Sequence, residues 1–166
     1  MQPSVGILAS INISWGGIPK QRVFEALVTE NGLDGDHQRD LRYHGGPERA
    51  VVLYSLDVIQ ALKRQGHPIG VGAVGENFTV SGLDWPAIVP GTELEIGAVC
   101  LLITKYASPC EKIRHSFIGE DFSRIAQKVH PGWSRVCARV TSGGIVRGGE
   151  SVKVVVADRS NAARHR

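Results

Sequence analysis

The sequence predicts a mainly β protein, a single antiparallel β-barrel with about two helices on its periphery. Short stretches of β-branched or alternating apolar residues recur along the chain, glycine- or proline-bearing turns separate them, and apolar residues fall at helical spacing in only two places. The regular strand–helix alternation of a doubly wound parallel sheet is missing. With 166 residues, 42% of them hydrophobic, the chain can bury one sizeable core. Residues 1–158 therefore read as one domain, and 159–166, which lack apolar periodicity, as a frayed tail.

Residues 5–14, rich in β-branched and small side chains, open the barrel, and 23–30 continue it after the breaks at Gly16-Gly17 and Pro19. Asn31-Gly32 is the dipeptide that two-residue hairpin turns favour, because both central positions want positive φ. Residues 32–50 form a loop that is long for a compact domain. Its Asp36, His37, Arg39, Asp40, Arg42, His44, Glu48 and Arg49 are more than a connector needs. A short strand at 50–54 leads to Ser55, an N-cap for a helix carrying Leu56, Ile59 and Leu62 on one face and ending at Gly66, with Pro68 beyond.

Strands resume at 76–80, at 92–96, where Leu94 and Ile96 alternate with Glu93 and Glu95, and at 99–106. The apolar run 99–103 predicts a strand buried on both faces, joined to its predecessor by the tight Gly97-Ala98 turn. Phe122, Ile125, Ala126 and Val129 then predict a second, shorter helix capped by Asp121 and stopped by Pro131-Gly132. In 134–142, Val136, Ala138 and Val140 alternate with Arg135, Cys137 and Arg139. Gly143-Gly144 turns this strand towards Ile145-Val146, and 151–157 is the last, giving about seven to nine strands in all.

Charge and cysteine content narrow the function classes. Lys and Arg exceed Asp and Glu by only 19 to 16, and neither zinc-finger spacing nor an RNA-binding aromatic signature accompanies the excess, so nucleic acid is not an expected partner. Three scattered cysteines make no disulfide framework and fit a reducing cytosol. Residues 5–13 are apolar but lack the basic segment and cleavage pattern of a signal peptide, and no run approaches the roughly 18 apolar residues of a membrane span. A cytoplasmic protein with no membrane partner is the expectation.

Cys110 is the residue best placed for chemistry. It follows Pro109, which ends the preceding strand because it has no N–H to give, and Lys105, Lys112 and Arg114 lie close enough in sequence to favour a thiolate. Cys100, inside an apolar run, and Cys137 read as packed thiols. His44, Gly45 and Gly46 with Arg49 offer bare backbone N–H groups and a guanidinium, which suits a phosphate or a pterin-like anion, although a plain glycine turn beside a solvated arginine reads equally well. His37 and His44, seven residues apart with no Cys-x-x-Cys nearby, do not have a recognised zinc spacing. Glu76 and Asn77 open a strand, so one of the two faces away from the core. Arg135 and Arg139 share a strand face and could simply coat the barrel.

Six short motifs occur together and in order: Gly35-Asp36-His37; His44-Gly45-Gly46 with Arg49-Ala50-Val51; Gly75-Glu76-Asn77-Phe78-Thr79-Val80; Pro109-Cys110; Ser134-Arg135-Val136; and Gly144-x-Val146-x-x-Gly149. Over nearly the whole chain this pattern resembles the MOSC domain, named after the C-terminal part of molybdenum-cofactor sulfurases. The resemblance implies a β-barrel that binds the molybdenum cofactor, a pterin dithiolene carrying molybdenum and a terminal phosphate (Mo-molybdopterin). It further implies that Cys110 ligates the metal or carries sulfur, that Ser108 and Asn77 line the metal's open side, and that His44, Arg49 and Arg135 hold the phosphate. Gly45, Gly46 and Glu76 complete the implied cofactor-binding set. Where many relatives carry Arg three residues before the cysteine this chain has Ala107, and Lys105 or Arg135 is left to supply that contact.

The implied activity is reduction of small N-hydroxylated compounds with electrons from a separate redox partner protein. The alternatives are a non-enzymatic carrier of the cofactor or of persulfide sulfur on Cys110, and a thiol-redox protein with an empty barrel.

Overall fold

The computed structural model describes residues 4–37 and 46–155. The expected tail at 159–166, and His44 and Gly45, lie outside the described residues.

The chain begins with β1 (Val5–Ile13), whose Leu8 and Ile11 are fully buried. After β2 (Gln21–Val23) come β3 (Glu25–Thr29) and β4 (Gly32–Leu33). The turn between the last two falls one residue earlier than the Asn-Gly pair suggests. Thr29 is opposite Gly32, so Glu30 and Asn31 are central, and Gly32 alone takes the positive φ, 113°. Thr29 Oγ1 accepts from the Asn31 N–H at 3.2 Å and donates to the Gly32 carbonyl at 3.3 Å, which holds the turn in that register. A side chain at Gly32 would lie 2.5 Å from the Ala50 carbonyl oxygen, so the glycine also lets the turn pack on the start of the next strand.

β5 (Val51–Ser55) runs into α1 (Leu56–Arg64). Ser55 caps it as expected, its side chain accepting from the Val58 N–H at 3.2 Å, and Gly66 beyond the C-cap has φ 98°. Ile59 and Leu62 are the buried face. Next come β6 (Phe78–Ser81), β7 (Glu93–Ile96), β8 (Val99–Tyr106), β9 (Val136–Ser142), β10 (Gly144–Arg147) and β11 (Ser151–Val155).

Seven strands close on themselves in the order β1-β6-β5-β9-β8-β7-β11, with β11 returning to β1 and β2 added beside β1; β10, β3 and β4 make a second, three-stranded sheet. All strand pairs are antiparallel except β5 with β6. That exception corrects the purely antiparallel expectation. α1 and the segment after it carry the chain from the end of β5 back to the start of β6, and such a crossover is what a parallel neighbour requires.

Two further expectations change. β8 alternates rather than being buried on both faces: Val99, Leu101 and Ile103 fill the barrel, while Cys100 and Leu102 are half-exposed. The segment from Phe122 is a single 3-10 turn, Phe122–Ile125, capped by Asp121, and Ala126 is already extended. Ile125 is buried but Val129 is exposed, so the apolar spacing does not mark one face. A helix of two turns gains little by itself, and packing decides its form.

Candidate functional site

β8 and β9 lie side by side, with Tyr106 opposite Val136 and Lys105 opposite Cys137. Val136, Ala138 and Val140 point into the barrel, which turns Cys137 and Arg139 to its outer surface. Cys137 is nevertheless buried, because the 3-10 turn Pro47–Arg49 packs across β8 and β9 at this level. Thr104 Oγ1 donates to the Glu48 carbonyl, and Glu48 pairs with Arg139, fastening the turn down.

Cations converge here. The charges of Arg49, Arg135 and Lys105 all reach the Cys137 thiol and pull its pKa down, yet burial outweighs them and pushes it up. Cys137 is thus a protonated, packed thiol at neutral pH, as expected of a free cysteine although it lies on the polar side of its alternating strand. The three cations around it are drawn from three distant parts of the sequence.

Cys110 stands at the end of the turn that follows β8, half-buried and in an extended conformation, immediately before the 3-10 turn Glu111–Ser116. Its neighbour Arg135 is 8% exposed and reaches it through charge. One terminal nitrogen of Arg135 donates to the Val74 carbonyl at 2.7 Å and the other to the Ser108 carbonyl at 3.3 Å, while Nε is buried without a partner among the described residues. Burial pulls the guanidinium pKa down, and Tyr54, Cys137, Glu76 and Cys110 oppose that.

The residues implied by the sequence separate into two groups. Arg49, Lys105 and Arg135 gather around Cys137, and Arg135 links that cluster to Cys110 and to exposed Ser108. Gly46, exposed and at φ 80°, opens the Pro47–Arg49 turn, and a side chain there would meet nothing within 4 Å. Glu76 and Asn77, by contrast, are fully buried and do not line an open face.

Asn77 spends its amide on the fold: Oδ1 accepts from the Val52 N–H at 3.0 Å, and Nδ2 donates to the Asn12 carbonyl at 3.3 Å and to Asp36 Oδ2 at 2.8 Å. Asp36 in turn holds Lys20 at 2.7 Å and the Ser14 N–H at 2.8 Å. Glu76 accepts from Thr79 Oγ1 at 3.2 Å and leaves Oε1 buried without a partner among the described residues. Asn77 and Glu76, expected at the metal's open side and against the cofactor, are thus both enclosed by the fold.

Sequence reasoning missed two supports of the site. The Tyr54 hydroxyl donates to the Trp133 carbonyl at 2.6 Å, and the Trp85 indole N–H to the Ser134 carbonyl at 2.8 Å. Their polar tips signal a need for buried partners, but the partners lie 79 and 49 residues away.

Residues 40–153 match the family model for the MOSC domain. The chain belongs to the MOSC domain family. That family is associated with binding of the molybdenum cofactor. Protein YiiM of Escherichia coli is 30% identical to this MOSC protein over 114 residues, 66% of this chain and 51% of that one, so the match spans about half the relative's length. The uncharacterized protein YflK of Bacillus subtilis is 28% identical over 155 residues, 87% of this chain and 70% of YflK.

Among solved structures, YiiM from Geobacillus stearothermophilus has a TM-score of 0.69 at 21% identity, covering 91% of this chain and 75% of that one. The YUAD protein of Bacillus subtilis has a TM-score of 0.70 at 15% identity, covering 95% and 99%. At such identities these structures establish the shared MOSC fold.

The donor set fits the cofactor. A half-exposed thiol suits a soft metal, and the charges of Arg49 and Lys105 suit an anionic pterin phosphate. Among the described residues no group of three His, Cys, Asp or Glu could hold a metal ion. Nor is any described helix long and apolar enough to cross a membrane.

Proposed function

We propose that this protein binds the molybdenum cofactor with Cys110 as the thiolate ligand to the metal and reduces small N-hydroxylated substrates. The observation that supports the reading is the half-buried Cys110 in the turn after β8, within reach of the charge of Arg135, which together with Arg49 and Lys105 surrounds Cys137. When bound, the cofactor supplies the two-electron redox chemistry that a polypeptide lacks.

The chain's own residues bind and orient. Cys110 holds the metal end. Arg49 and Lys105, with the backbone N–H groups of Gly45 and Gly46 and the side chain of His44, neutralise and hold the phosphate end. Ser108, exposed beside Cys110, offers a hydroxyl to the N–O group of a substrate. The substrate R–NHOH takes up two electrons and two protons and leaves as R–NH2 and water, with the electrons delivered by a separate redox partner protein.

The test is turnover. Protein made in a host that synthesises the cofactor should convert 6-hydroxylaminopurine to adenine when given a reduced electron-transfer protein, and Cys110→Ala should bring that rate down to background. Bound molybdenum without turnover under any electron supply would point instead to a carrier of cofactor or of persulfide sulfur.

A further inference from the structure

Arg135 does something the cofactor-binding set does not describe. Its side chain is buried, and each terminal nitrogen donates to a main-chain carbonyl of a different segment, Val74 in the approach to β6 and Ser108 in the cysteine turn. The base of the side chain is fixed just as firmly. The Trp133 carbonyl is taken by the Tyr54 hydroxyl at 2.6 Å and the Ser134 carbonyl by the Trp85 indole at 2.8 Å. The Arg135 carbonyl receives both the Ala107 N–H at 3.0 Å and Ser134 Oγ at 2.7 Å.

Three successive carbonyls are therefore clamped by buried donors, and the arginine projects from this fixed run to the residue two positions before Cys110. A buried guanidinium is costly unless its N–H groups find acceptors, so the carbonyls of Val74 and Ser108 are held to it as strongly as it is held to them.

We infer that Arg135 is a positioning residue: it is a strut that sets the Ala107–Cys110 turn against the approach to β6, rather than a group that grips a bound anion. Its link to metal binding rests on the function proposed above; the strut itself does not. With Arg135 removed, the Ser108 carbonyl loses its buried donor, the turn samples open conformations, and Cys110 no longer holds one place. Lysine keeps the charge but cannot make two divergent bonds from one planar fork, so it restores only part of the constraint.

Amide hydrogen exchange on protein free of molybdenum tests this apart from any cofactor. In Arg135→Met, amides of residues 107–112 should exchange about tenfold faster than in the wild type, the scale of one lost charge-assisted hydrogen bond, while amides of β8 and α1 are unchanged. Arg135→Lys should fall between the two, and it carries the test if the methionine variant does not fold. Exchange at 107–112 equal to wild type in a folded variant would overturn the inference. So would a wild type whose 107–112 segment is protected only when inorganic phosphate is added, since that is the behaviour of an anion-gripping arginine.

Discussion

Glu76 shows what burial does to a carboxyl that sequence assigns to a ligand. Desolvation pushes its pKa up, and the backbone amides of Glu76 and Gly72, the Thr79 hydroxyl and the field of Arg135 only partly offset this. The folded state therefore holds a proton to higher pH than the unfolded chain does, and between the ordinary carboxylate value and the raised one stability falls as pH rises. Glu76→Gln keeps an acceptor for Thr79 and discards the charge. Thermal melts should show it a few degrees more stable than wild type at about pH 8 and equal to it at about pH 4, with a flatter profile between. The place of Cys110 in a turn just past β8 was legible because Pro109 precedes it, whereas Arg135, the cation whose charge reaches it, lies 25 residues on (135 against 110). The burial of Glu76 and Asn77 was not, since the partners that enclose Asn77, Asp36 and Asn12, are 41 and 65 residues away.

At the scale of elements, local chemistry was readable wherever it closed locally. The Ser55 cap, the Gly66 stop and the Gly97-Ala98 turn all stand as the sequence suggests. The stretch from Glu111 to Trp133 was not readable, because it is a succession of 3-10 turns held by scattered contacts rather than by its own periodicity. One of those contacts is sensitive to pH. His67 Nδ1 accepts the Ile118 N–H at 3.1 Å and ties the segment after Cys110 to the end of α1. Burial and the charge of Arg124 hold the His67 pKa below the ordinary imidazole value, with Asp121 opposing.

The folded state thus binds fewer protons than the unfolded chain in that window. The contact is intact above the ordinary value and is lost as pH falls through the lowered one. Limited proteolysis should cut residues 111–120 faster at about pH 5 than at about pH 8, and His67→Gln, which retains an uncharged acceptor, should remove most of the difference. Equal cutting at both pH values in the wild type would contradict this role for His67.

At the scale of the whole molecule, the number and spacing of strands predicted a barrel, but its closure depends on pairings no local pattern reveals. β11 finds β1 across the length of the chain, and the single parallel pair follows from the path of α1. Closure is also what assembles the site. Arg49 from the long loop, Lys105 from β8 and Arg135 before β9 meet around Cys137 only because β5, β9 and β8 are neighbours. The link of Cys110 to that group through Arg135 is the centre of the functional account.

Elemental analysis for molybdenum, on wild type and Cys110→Ser purified side by side from a host that makes the cofactor, tests it most directly. The account predicts molybdenum approaching one equivalent in the wild type and almost none in a folded Cys110→Ser protein. A wild type without molybdenum, or a variant that holds as much as the wild type, would contradict it.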